Sequence, residues 1–227
     1  ARMARFRDVR GLLARLPIEP GRPTPSEKVH PLYGAALREL EHTTHFSVVD
    51  QDGMAVSCTT TLSAGFGSKI VVPGTGIVLN NAVASFASAG ENLPVGGRRT
   101  VSSMTPTLVT KGGELWLVLG SPGGDTIPST VAQVFRNLVD HGMTLDRAVQ
   151  AGRIHHGFVP DEARYERARP PPKATLDGLK RLGHTLSKKT LPMGDANNIL
   201  LVGGVAYAMA DPREGGAAVA ARPKPGP

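Results

Sequence analysis

The sequence predicts an α+β fold, and three observations carry that expectation. Residues 43–49 and 55–62 alternate as two strands about the turn signal Asp52-Gly53. "PTLVTKGGELWLVLG" reads as a second hairpin, turning at Gly112-Gly113. Helical patterns cluster after about residue 125, and a last hairpin, "NNILLVGGVAYAMAD", closes the series. Elements grouped in runs build layers, whereas strict βα alternation would build a doubly wound sheet.

Taken in order, residues 1–16 pattern as an amphipathic helix, with Phe6, Leu12, Leu13 and Leu16 set among arginines. A helix packed on a partner outside this chain is preferred over one lying in a membrane interface. "PIEPGRPTPSEKVHP" follows, with five prolines in fifteen residues, and reads as an extended linker. Beyond the first hairpin, "GIVLNN" is expected as a buried strand. A helix is expected from about Asp125, its N-cap, to His141, where Gly142 stops it. Thr144 and Thr175 are expected to cap two further helices, Gly183 ending the second, and Trp116 to join the core. The organisation is then 1–42, a leading segment with its linker; 43–220, a globular domain; and 221–227, a loose tail.

Length and composition limit the function. A chain of 227 residues can build one good core with an attached segment. No apolar run approaches the roughly 18 residues a membrane span needs. The net charge of +7 is spread thinly, with eight basic and five acidic residues in 1–42. No dense basic stripe with stacking aromatics exists, so nucleic-acid binding is not expected. The first residues lack both an initiator Met and an apolar signal core, and read as an internal start. Compartment therefore stays open: periplasmic or secreted with an upstream signal, otherwise cytoplasmic. Cys58 is the single cysteine, so no internal disulfide forms; it shares a row with Val56 and Leu62 and reads as a small buried hydrophobe.

The first hairpin carries threonines at one end, in "LEHTTHFSVVDQDGMAVSCTTTL". Thr43, His45 and Ser47 form one row of the first strand, and Ser57, Thr59 and Thr61 one row of the second. A loop centred on Asp52 pairs these rows and sets Thr61 opposite Thr43; a one-residue slip would set Thr43 against Leu62. Threonine is a good strand former, and that alone accounts for the cluster. A second reading stands beside it. A threonine whose α-amino group is freed by cleavage of the preceding bond carries nucleophile and base on one residue. With a pKa near 8, that amine keeps a useful neutral fraction at about pH 7. Cleavage between His42 and Thr43 would create this arrangement. His45 would then have a structural hydrogen bond rather than serve as base.

"LWLVLGSPGGDTIPSTVAQVF" runs strand, glycine-rich turn, helix. Gly120, Gly123 and Gly124 allow a sharp turn that aims backbone N–H groups beside a helix N-terminus. Such a loop is either a tight turn or an oxyanion hole for acyl transfer. A phosphate loop is disfavoured, because no Gly-Lys-Ser/Thr follows. Asn80 and Asn81 are expected to satisfy backbone groups. His155 and His156, being adjacent, point apart and lack a third metal ligand, so neither metal nor cofactor is expected.

Together, "TTHFSVVDQDGMAV", "GIVLNN", "SSMTPTLV", "GSPGG", "RIHHGF" and "ADPREGGAAVA" resemble, in order, the small subunit of γ-glutamyltransferases, which are N-terminal-nucleophile hydrolases. The likeness covers residues 43 to about 220, and makes 1–42 resemble the tail of the large subunit. It implies a four-layer αββα sandwich made by self-cleavage, with the large subunit of the same precursor as partner. It also implies Thr43 as nucleophile, Thr61 as its hydrogen-bond partner, and Gly123 and Gly124 as oxyanion donors. Ser102 and Ser103 match hydroxyls that hold the glutamyl α-carboxylate. The substrate would be a γ-glutamyl amide of glutathione type, the acyl group passing to water or an amino acid.

The departures bear on substrate. The family pattern supplies an amide and then an acid after "LNN" to grip the α-ammonium group; here Ala82 and Ser85 stand there, and Ser63 replaces an asparagine. Losing one charge-assisted bond costs about 1.5–3 kcal/mol. A glutaryl-type amide, as in the cephalosporin-acylase branch, is therefore the alternative donor. A non-catalytic remnant without its large subunit is the alternative of a different class.

Overall fold

The computed structural model describes residues 43–88, 92–157, 160–190 and 192–220. The expected helix over 1–16, the linker, His42 and the tail from 221 lie outside them.

The hairpins follow from their turns. Strands β1 (Thr43–Val49) and β2 (Ala55–Thr61) pair antiparallel as one two-stranded sheet. Asp50 closes their turn, its Oδ1 accepting the N–H groups of Asp52 at 2.9 Å and Met54 at 2.8 Å. Strands β3 (Thr107–Lys111), β4 (Glu114–Leu119), β7 (Asn198–Val202) and β8 (Val205–Met209) form a four-stranded antiparallel sheet in the order β3-β4-β7-β8. Between them in sequence lie helices α1 (Ile127–Val139) and α2 (Leu145–Gln150), the short hairpin β5 (Ile154–His156) and β6 (Ala163–Tyr165), and helix α3 (Lys173–Arg181).

Leu117 and Leu119 of β4 are buried against Ile127, Val131, Val134 and Leu138 of α1 and Leu145, Ala148 and Val149 of α2. The spacing of the α1 residues is that of one helical face. The β1–β2 hairpin meets the same sheet through Ser57, whose hydroxyl donates to Leu119 O at 2.9 Å and accepts the Thr107 N–H at 3.0 Å. Helices, four-stranded sheet and hairpin thus make three layers of an αββα-type sandwich, in the expected α+β class. Trp116 packs half-buried at the edge of this core.

Several local expectations need correction. "GIVLNN" is not a buried strand: Val71 and Val78 make an isolated bridge, and Ile77 is 59% exposed. Helix α1 begins at Ile127 after a 3₁₀ turn, Gly124–Thr126, because Asp125 is drawn into an ion pair with Arg164 instead of capping. Helix α3 starts at Lys173 behind Pro172, leaving Thr175 inside it, while Gly183 does follow its end. Thr144 holds its cap position by backbone conformation, without a side-chain cap bond. The first hairpin turns its polar row inward, so Phe46, Val48 and Val56 are exposed and Cys58 is only half-buried. The polar row wins the inner face because it finds backbone partners on β4 and beside β7.

Candidate active site

Thr43 stands at the head of β1, 9% exposed, with Thr61 directly across in the antiparallel register. The register is the one the two rows demanded. Thr61 Oγ1 accepts the Ser63 N–H at 2.9 Å, so its own proton is not spent on that bond. Ser63 is buried with φ 74°, a strained conformation costing roughly 1–3 kcal/mol. Asn81 steadies this turn: its Oδ1 accepts the Ala64 N–H at 2.9 Å, and its own N–H reaches Leu62 O at 3.1 Å. The 3₁₀ turn Ala82–Ser85 follows, with Ser85 buried and its carbonyl held by Asn92 Nδ2 at 3.0 Å.

His45 lies two residues along the inner row and is 4% exposed. Ser47 spends its proton on Asn197 O at 2.7 Å, so its oxygen accepts from His45 Nε2–H at 3.1 Å. His45 Nδ1 then accepts the Thr59 hydroxyl at 2.8 Å. Both ring nitrogens are engaged, which leaves neither as a base for Thr43. Burial lowers the imidazole pKa to about 4, and no carboxylate offsets it.

The glycine-rich loop is anchored from three sides. An added Cβ on Gly120 would lie 2.1 Å from the His45 ring, and the Gly120 N–H donates to Asn198 Oδ1 at 3.1 Å. Gly120 therefore serves packing, not anion binding. Ser121 Oγ accepts the Asp195 N–H at 2.9 Å. Gly123 and Gly124 adopt φ 130° and 56°, which a side chain would strain, and Thr126 closes the turn onto Gly123 O. This leaves the two glycines at the entrance of α1, where the first N–H groups of a helix have no intrahelical acceptor.

Ser103 joins the loop, its hydroxyl donating to Gly124 O at 2.8 Å. Ser102 points elsewhere and accepts the Met104 N–H at 3.2 Å. Thr43 and Pro122, the residue before Gly123, line one open cavity of about 360 Å³ with Asp195 and Glu214. The structure thus gathers Thr43, Thr61 and Ser63 at one point, and Ser103 with Gly124 at another. Of the predicted site residues among those described, only Thr43 lines the cavity; Thr61, Ser63, Ser85, Ser102, Ser103, Gly123 and Gly124 do not. Burial, with Asp211 nearby, raises the Asp195 carboxyl above its usual range.

Sequence reasoning missed a buried ionic network beneath this cavity. Arg153 donates to Asp211 Oδ2 at 2.5 Å and Val149 O at 2.9 Å, and also to Met193 O. Arg213 forks onto Glu166 at 2.8 and 2.7 Å and reaches Asp211 Oδ1 at 3.0 Å. The four residues are nearly inaccessible. Arg153, Asp211 and Arg213 were signalled only by membership of "RIHHGF" and "ADPREGGAAVA", without an assignable role, and Glu166 by nothing. His155 and His156 diverge, the first toward Ser129 and the second toward Asp161. Among the described residues no group of three His, Cys, Asp or Glu could hold a metal ion.

The layered α+β fold, with its helices packed on an antiparallel sheet and a hairpin on the other face, is that of the N-terminal-nucleophile hydrolases. Comparison with known proteins gives the family. The gamma-glutamyltranspeptidase family model matches residues 14–221, and the chain belongs to that family. It is 36% identical over 219 residues to a glutathione hydrolase proenzyme of Pseudomonas aeruginosa, covering 91% of this chain and 38% of the relative. The Escherichia coli glutathione hydrolase proenzyme is 41% identical over 203 residues, covering 83% of this chain and 34% of its own. A highly active mutant of gamma-glutamyltranspeptidase from Pseudomonas nitroreducens superposes with a TM-score of 0.72 at 39% identity, covering 79% of this chain and all of that one. The chain spans little more than a third of the length of these curated relatives.

Proposed function

We propose that this chain is the catalytic, small-subunit part of a self-processing γ-glutamyl transferase or hydrolase. Cleavage after His42 frees the Thr43 amine. That amine takes the Thr43 hydroxyl proton as Oγ1 attacks the amide carbonyl, and the proton passes to the departing amine. The Thr61 hydroxyl donates to Thr43 Oγ1 and holds it in line. Gly123 and Gly124 stabilise the tetrahedral oxyanion, and Ser102 and Ser103 bind the substrate carboxylate, the Ser103 hydroxyl turning from Gly124 O to donate to it. Ser63, in the turn beyond Thr61, borders the acyl pocket, and Ser85 stands where the family pattern sets an acid for the ammonium group. Water or an amino acid then releases the acyl group from Thr43. No cofactor takes part, and the large subunit of the same precursor completes the site.

The observation that carries this reading is the burial of Thr43 at a strand head, in register with Thr61 and lining one cavity with Pro122, the residue before Gly123. Expression together with the upstream part tests it. Cleavage of this chain gives pieces of 42 and 185 residues, and Thr43→Ala abolishes both the cut and turnover. A wild-type chain that stays intact beside its large-subunit partner would favour a non-catalytic remnant.

Ala82 and Ser85 favour a second donor, a glutaryl-type amide lacking the α-amine, because neither side chain can pair with an ammonium group as a carboxylate does. Glutaryl- and γ-glutamyl-anilides compared on the same enzyme distinguish the donors. A preference of roughly tenfold for the glutamyl compound, about one charge-assisted bond, removes the glutaryl reading.

A further inference from the structure

Directly after the two loop glycines comes a carboxylate, Asp125. An anion beside an oxyanion hole opposes the charge that acyl transfer develops. The structure surrounds it with compensation. Arg164 Nη2 bonds Asp125 Oδ2, and His155 Nε2 approaches the same oxygen at 3.5 Å. Arg164 and His155 are cross-strand partners in the β5–β6 register, so one hairpin presents both to one carboxylate. Ser129, one helical turn beyond Asp125, binds His155 Nδ1 at 2.6 Å. Ser129 Oγ lies between His155 Nδ1 at 2.6 Å and Thr126 O at 3.3 Å, and so holds the imidazole with its Nε2 edge toward Asp125. Gln133 completes the docking, its Nε2 donating to Ile154 O at 2.7 Å and its Oε1 accepting the Ile154 N–H at 2.9 Å.

We propose that the β5–β6 hairpin neutralises Asp125 through Arg164, and fixes it with the His155 ring packed alongside, so that the adjoining Gly123-Gly124 loop can stabilise an oxyanion. Both are positioning residues, acting through Asp125 and not on substrate. The inference rests on the oxyanion role proposed for the loop. A purely structural clamp would respond to loss of the contact; an electrostatic one responds to the sign of the charge left behind.

The test is a charge cycle in the full precursor, with kcat and KM measured on whichever anilide the wild type hydrolyses faster. Arg164→Gln strands the carboxylate and lowers kcat by roughly tenfold or more, with KM changed less than about twofold. Adding Asp125→Asn to Arg164→Gln restores at least half of the lost activity on a logarithmic scale. Arg164→Lys, which keeps the charge, stays within about threefold of wild type and serves if Arg164→Gln does not fold. A double variant as slow as Arg164→Gln, or Arg164→Lys slowed tenfold, overturns the proposal. Thr43→Ala run alongside separates the failures: turnover persisting there sinks the nucleophile assignment, whereas its loss with no charge cycle sinks the clamp alone.

Discussion

Thr43 owes its position to one strand pair, and its proposed chemistry to the absence of one peptide bond. With His45 committed to Thr59 and Ser47, the α-amine is the base nearest to the hydroxyl. Thr61→Ala should therefore lower kcat by about ten- to a hundredfold, the worth of a hydrogen bond to a charged group, and Thr61→Ser should recover most of it. His45 gives a pH signature. Its folded pKa of about 4 lies below the ordinary 6.5, so the unfolded chain binds the proton more readily between those values. Stability contributed by neutral His45 is complete above about pH 6.5 and is lost as pH falls through 4, to the extent of about 3 kcal/mol. Urea midpoints measured from pH 7 to 4 should fall accordingly, and His45→Gln should flatten the slope. An unchanged slope would contradict the assigned tautomer and burial.

At the scale of elements, the loop and the first hairpin are locked together where the His45 ring occupies the space a Gly120 side chain would need. Gly120→Ala should destabilise by about 1–3 kcal/mol through overpacking, lowering Tm by several degrees in calorimetry. Three of the four hairpins were legible because their turns are local: Asp52-Gly53, Gly112-Gly113 and Gly203-Gly204 announce themselves without tertiary help, whereas the three-residue strands β5 and β6 carry no such signal. The register of β1 on β2 was legible too, since parity of the polar row admits one solution. Other features were hidden because distant partners decide them. Asp125 looked like an N-cap until Arg164, thirty-nine residues on, claimed its carboxylate. "GIVLNN" looked buried because its apolar run matches a core strand, yet its neighbours give it one bridge and open surface. The inward turn of the polar row was equally invisible, since Leu119 O and Asn197 O are backbone acceptors that no pattern encodes.

Across the whole molecule, the Arg153–Asp211–Arg213–Glu166 network ties α2, the segment before Met193, the β6 exit and the residues after β8 into one body beneath the cavity. Removing one partner leaves a buried charge unpaired. Arg213→Met should cost about 3–5 kcal/mol, read from denaturant unfolding, with a midpoint near that of wild type refuting the network's weight. The two motifs that hold Arg153, Asp211 and Arg213 gave them no role, because arginines and acids scattered over sixty positions read as solvated surface until the fold assembles them. The exposed row of Phe46, Val48 and Val56 belongs to this scale as well, an apolar strip on the outer face of the first hairpin. The proposed chemistry depends most on Thr43 becoming a chain terminus. Mass spectrometry of the assembled, active enzyme is its most direct test: a fragment beginning at Thr43, with an acyl group trapped on that residue by a slow substrate, is the predicted result. An active enzyme in which Thr43 is still joined to His42 would contradict it.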